Sequence, residues 1–112
     1  MDTLNENVQE IIEKLLKDYA EFLGEDDRVK IELIFDREKK HYLLVETGWE
    51  NEYRIYGTLI HIDIIDGKIW IQQDGTESGI ADELVTMGIP KKSIVLGYKS
   101  LNRRKITEFA VS

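Results

Sequence analysis

The sequence predicts an α+β domain: an antiparallel β-meander of four or five strands packed against an N-terminal helix, with a second short helix after the fourth strand. Three observations carry this expectation. Apolar residues recur at helical spacing up to Leu23, they switch to alternation after Gly24, and an Asp66-Gly67 dipeptide separates two alternating runs. No low-complexity stretch or fixed-period repeat interrupts the 112 residues, so the chain reads as one domain over residues 1–112.

The first helix rests on Leu4, Val8, Ile11, Ile12, Leu15, Leu16, Tyr19, Phe22 and Leu23, which form one apolar stripe. Thr3 and Glu6 have capping-box spacing, and Gly24 supplies a C-terminal stop. Glu10–Lys14 and Glu13–Lys17 are expected as i,i+4 pairs on the wet face. The period then becomes two: Val29, Ile31, Leu33 and Phe35 alternate with polar residues in a first strand. Residues 36–40 form a hairpin connection, a second strand covers about His41 to Thr47, and residues 48–52 turn again into a long third strand from Tyr53 to Ile65. Asp66-Gly67 suits a two-residue type I′ turn into a fourth strand, Lys68 to Gln73.

That turn predicts a register. Ile64 faces Ile69 and Ile62 faces Ile71, so Ile60, Ile62, Ile64, Ile69 and Ile71 share a core face under the first helix. The opposite face carries His61, Asp63, Trp70 and Gln72, with Asp63 facing Trp70 and His61 facing Gln72. A second helix uses Ile80, Ala81, Leu84, Val85 and Met87, with Asp74–Glu77 as capping-box spacing and Thr76 and Ser78 as competing N-caps. Gly88 ends it, and Ile94-Val95-Leu96 reads as a last short strand. The pattern assigns no structure to the end of the chain.

Composition narrows the function. With no cysteine, the chain has neither a disulfide framework nor a thiolate metal site. The first residues lack a basic n-region and an apolar h-region, and no apolar run approaches about 20 residues, so a cytoplasmic protein is expected. The net charge of −7 is uneven: from Lys91 onward six basic residues face Glu108 alone, a local +5 that leaves −12 for residues 1–90. Such a body repels a phosphate backbone, and the basic segment reads as a solvated surface, as a docking patch for an acidic partner surface, or as a nucleic-acid contact.

No catalytic or metal site is expected. No nucleophile sits beside a base, and the Gly75 and Gly79 pair lacks the lysine and hydroxyl of a phosphate-binding loop. His61 and Asp63 share a strand face, and Gln72 or Asp74 is placed to complete a metal or acid–base site; against this stands a polar sheet face with a hydrogen-bonded histidine. Of Tyr42, Trp49, Tyr53, Tyr56 and Trp70, most are expected to pack in the sheet, with Trp70 exposed as a contact anchor. Partner-binding residues are therefore expected among His61, Asp63, Trp70 and Gln72, and at Arg103 and Arg104 in the basic segment. An exposed Trp70 and an uncovered sheet face also suggest a homo-oligomer, a dimer in the simplest case.

The stretch from Ile60 to Leu84, IHIDIIDGKIWIQQDGTESGIADEL, resembles the XisI family, the fdxN-element excision controlling factors of filamentous cyanobacteria. The resemblance runs on through Met87-Gly88-Ile89-Pro90 and Ile94-Val95-Leu96-Gly97 to Arg104 and Thr107-Glu108-Phe109-Ala110. It includes IIEKLLKDYAEF and Ile31–Asp36 near the start, and so covers essentially the whole chain. The chain departs from the pattern at Lys99, Ser100 and Leu101, where a histidine and a proline are expected. The resemblance implies an accessory protein in programmed DNA excision during heterocyst differentiation, working with an endonuclease-like companion excision factor and a separate recombinase. It implies neither an active site nor a cofactor. Direct DNA binding through Lys99–Lys105 is the alternative to protein binding.

Overall fold

A computed structural model describes residues 2–24 and 26–112, with side chains from Asn7 onward. In chain order it contains α1 (Asp2–Leu23), β1 (Val29–Asp36), β2 (His41–Glu50), β3 (Tyr53–Ile65), β4 (Lys68–Asp74), α2 (Ile80–Thr86), a 3-10 turn (Lys91–Ser93), β5 (Ile94–Leu96) and α3 (Leu101–Arg104). The strands form one sheet in the order β1-β2-β3-β4-β5. Strands β1 to β4 are an antiparallel meander, because tight turns force each strand to reverse. Strand β5 runs parallel to β4, not antiparallel as a pure meander requires: residues 75–93 are long enough to carry α2 across and bring the chain back in the same direction.

The aliphatic stripe of α1 lies on one face of the sheet. Ile12, Leu15 and Leu16 meet Tyr42, Leu44, Ile60, Ile62, Ile64, Ile69 and Ile71, and α2 adds Ile80, Ala81 and Leu84. The predicted isoleucine slab is therefore the core, with Ile62 opposite Ile71 and Ile64 opposite Ile69. Each fully buried aliphatic side chain of this set contributes about 1.5–3 kcal/mol. Asp66 and Gly67 turn the hairpin with positive φ at both residues, 51° and 78°. That is the backbone a type I′ turn demands. Gly24 at φ 69° ends α1, its N–H bonding to the Ala20 carbonyl at 3.0 Å.

Several expectations change. The capping-box pair Thr3–Glu6 and Leu4 fall outside the described side chains. Glu13 is not on a wet face: it is 6% exposed and takes a bidentate hydrogen bond from the Arg37 Nε and Nη2 at 2.8 and 2.7 Å. The guanidinium, by hydrogen bond and by charge, outweighs burial and holds the Glu13 carboxyl below its usual value. On the solvated side of the helix Lys14 pairs with Asp18 at 3.0 Å. Strand β2 continues past Thr47 to Glu50, so the turn shrinks to Asn51 and Glu52, with Asn51 at φ 60°.

His61 faces Gln73 instead of Gln72, because a bulge between His61 and Ile62 makes Gln72 an extra residue on β4. A second bulge leaves Leu59 as the extra residue on β3. The Asp74 carboxylate bonds the Ile80 N–H at 3.0 Å and the Thr76 N–H at 2.9 Å, so it caps α2 from across the loop; Gly79 holds the N-cap position.

The end of the chain folds back on the sheet. After α3, Ala110 pairs in parallel with Val95, and its N–H bonds to the Ile94 carbonyl at 2.8 Å. Arg104 donates to the carbonyls of Lys99 and Val111 at 2.9 and 3.0 Å, and its guanidinium lies 5.3 Å from the Trp70 ring centre. No helix among the described residues is long and apolar enough to cross a membrane.

Candidate functional site

The face of the sheet turned away from α1 is the candidate site. On β2 the alternation puts His41, Leu43, Val45, Thr47 and Trp49 there, and cross-strand pairing adds Asp63, His61, Thr58, Tyr56 and Arg54 from β3. Strand β1 contributes Ile34, 46% exposed, opposite Leu43. The C-terminal segment meets this face at Trp70, under Arg104, and at Lys68, whose Nζ donates to the Ser112 carbonyl, leaving Ile34, Trp49 and Tyr56 on β1 to β3 open to solvent.

Two groups of side chains stand out on it. At one end, Asp63 is only 8% exposed and is surrounded by hydrogen-bond donors. Its Oδ1 lies 2.7 Å from His41 Nδ1 and 2.9 Å from His61 Nε2, and Gln72 Nε2 donates to Oδ2 at 3.3 Å. An ionised carboxylate only accepts, so both facing ring nitrogens carry hydrogens. Burial pushes the Asp63 carboxyl up, but the bonds from His41 and His61, the His61 charge and the Gln72 amide outweigh it and hold it below the usual carboxylate value. The bulge on β4 leaves Gln72 without a ladder partner, with its side-chain amide in reach of Asp63.

At the other end, the β2–β3 hairpin carries Trp49 and Tyr56, 52% and 70% exposed, on the same face. The Arg54 guanidinium lies over both rings, 5.3 and 5.6 Å from their centres. Such a stack holds flat aromatic surface in a fixed orientation toward solvent. An apolar groove of ≈ 440 Å³ also lies between α1 and α2 on the opposite side, lined by Leu15, Tyr19, Phe22, Ile80 and Met87.

Of the residues singled out from the sequence, His61, Asp63 and Gln72 come together as one hydrogen-bonded cluster. Trp70 shares their face but is half-buried beneath Arg104, not exposed. Arg104 is engaged in holding the C-terminal segment, whereas Arg103 is exposed on α3, well separated in the chain from the cluster. Asp74 serves α2 instead of joining His61. Sequence reasoning missed His41, which enters the cluster because it pairs directly with Asp63 across β2 and β3. A two-residue turn at Asn51-Glu52 was the available signal, since it sets that pairing once the Leu59 bulge is allowed.

A family model described as XisI protein matches residues 1–111. The chain belongs to the XisI family. Two solved structures from Anabaena variabilis ATCC 29413 agree with this membership. A XisI-like protein superposes with a TM-score of 0.90 at 43% identity, covering 95% of this chain and 97% of its own. The fdxN element excision controlling factor XisI superposes with a TM-score of 0.83 at 33% identity, covering 94% and 96%. Among curated proteins none matches in sequence. This member of the family is an α+β domain whose sheet is covered on one face by α1 and α2.

Proposed function

We propose that this XisI-family chain is a non-catalytic accessory factor that acts by binding a companion protein in the excision of a DNA element or in its regulation. The observation that carries the reading is the open sheet face, on which Ile34, Trp49 and Tyr56 present exposed apolar surface, with a polar cluster at the end away from the β2–β3 hairpin. Exposed tryptophan and tyrosine held in place by a guanidinium are the side chains that dominate protein interfaces. One relative of known structure is named an excision controlling factor, which supplies the process. The companion is an endonuclease-like excision factor.

Charge favours a protein partner over duplex DNA. Residues 1–90 carry −12, which attracts a basic partner and repels phosphate. The basic segment is partly spent on internal contacts, since Lys91 pairs with Glu108 and Arg104 with the chain end. Self-association through the same face is the simplest route to a homodimer, which the companion then displaces or extends.

The test is to replace Trp49 and Tyr56 together by alanine and titrate the chain with purified companion. Both side chains are exposed, so the fold is retained while affinity falls about 30-fold or more, the loss of an interface hot spot. Unchanged affinity would remove this face from the reading.

A further inference from the structure

We propose that His41, His61 and Asp63 form a binding site for a divalent transition-metal ion of the zinc class. This goes beyond the accessory role above and does not depend on it. The three residues each offer a ligand atom, and these atoms lie within 4.8 Å of one another. Two imidazoles and one carboxylate are a donor set suited to zinc, cobalt or nickel and less suited to calcium or magnesium.

The placement is that of a built site. His41 and Asp63 are direct cross-strand partners and His61 lies two residues along β3, so hydrogen-bonded backbone fixes all three. Asp63 Oδ1 sits between the two ring nitrogens, 2.7 and 2.9 Å away. Ligands on one tetrahedral zinc are separated by roughly 3.3 Å, given bonds of about 2.0–2.2 Å. The nitrogens therefore move outward by about half an ångström, a small side-chain rotation on exposed imidazoles. Gln72 already holds the other carboxylate oxygen, the outer contact that orients a ligating carboxylate.

A second observation comes from charge. Among the described residues, the ion-pair contacts of Asp63 are with the two histidines, and neither lysine nor arginine reaches it. A buried carboxylate is favoured by a facing cation, and a divalent ion held by these three side chains supplies one. Each imidazole binds the ion through the nitrogen that now faces Asp63, Nδ1 of His41 and Nε2 of His61, and the hydrogen on that nitrogen leaves it: to the other ring nitrogen of a neutral ring, to solvent from a protonated one. The side chains of His41 and His61 are 49% and 32% exposed, so the ion enters from solvent and a fourth position is open to water.

The experiment uses the untagged full chain, stripped with chelator and titrated calorimetrically with zinc and, separately, with cobalt, whose visible bands report coordination. The expected result is saturable binding of one equivalent, a zinc-dependent rise in melting temperature, and loss of both in His41→Ala and in His61→Ala. Gln72→Ala weakens binding about tenfold or more. His41→Ala keeps the fold because the side chain is half exposed, and circular dichroism checks this. Absence of saturable binding to the wild type, or binding retained in both histidine variants, overturns the proposal and leaves a hydrogen-bonded cluster only.

Discussion

Ile62 and Leu43 lie on adjacent strands but on opposite faces of the sheet, so truncating each to alanine measures the two faces separately. Ile62 is fully buried, between Tyr42 and Ile71 across the sheet and beneath α1. Ile62→Ala removes three carbons, worth about 2.4 kcal/mol at ~0.8 kcal/mol each. The central strand cannot collapse into the space, so the residual cavity raises the cost to about 3–4 kcal/mol. Leu43→Ala removes as many carbons, but from a half-exposed position on the open face where no cavity results, and costs about 1 kcal/mol. Urea unfolding followed by far-ultraviolet circular dichroism gives both values. For a domain of this size Ile62→Ala lowers the melting temperature by roughly 10–20 °C and Leu43→Ala by a few degrees. Equal losses would refute the assignment of one buried and one open face.

Three further outcomes follow from the described contacts. The Glu13 carboxyl is lowered in the folded state by Arg37, so the unfolded chain takes up its proton first as pH falls. The pair therefore stabilises above the ordinary carboxylate range, and this contribution is lost as pH drops through the lowered folded value; thermal melts from about pH 7 to about pH 3 show it, and Arg37→Ala flattens it. Asp74→Ala frees the Ile80 and Thr76 N–H groups and costs about 1–2 kcal/mol in urea unfolding, whereas Glu77→Ala is near neutral. Gly48→Ala places a methyl into the Arg28 carbonyl where β1 and β2 begin to pair, and lowers the melting temperature while Gly57→Ala, with open space around it, does not.

The parts of the fold that follow from local rules were legible in the sequence. The helical stripe of α1, the alternation of β1 and the Asp66-Gly67 hairpin each specify themselves within a few residues, and the isoleucine face follows from that one turn. The bulges at Leu59 and Gln72 were not legible, because one extra residue shifts the partner without disturbing the alternation read along a single strand. Glu13 looked solvated because its partner, Arg37, lies in a hairpin far along the chain and only the packing of α1 on the sheet brings them together. The candidate site was half legible for the same reason. His61 and Asp63 share a strand and show themselves, while His41 joins through pairing of β2 with β3, a non-local event. The basic segment misled, since Arg104 is spent on the chain end and on Trp70, whose own exposure was overestimated because the returning C-terminus covers it.

The central claim, protein binding instead of DNA binding, is tested most directly by titrating the isolated chain side by side with its endonuclease-like companion and with duplex DNA at about 0.15 M salt, where non-specific phosphate contacts are screened. The account predicts saturable binding to the companion with an association rate that falls as salt rises, no tight binding to DNA, and no effect of Arg104→Ala on companion affinity beyond its effect on folding. Sequence-specific nanomolar binding to DNA by the isolated chain, with no measurable binding to the companion, would contradict it and assign the function to the basic C-terminal segment.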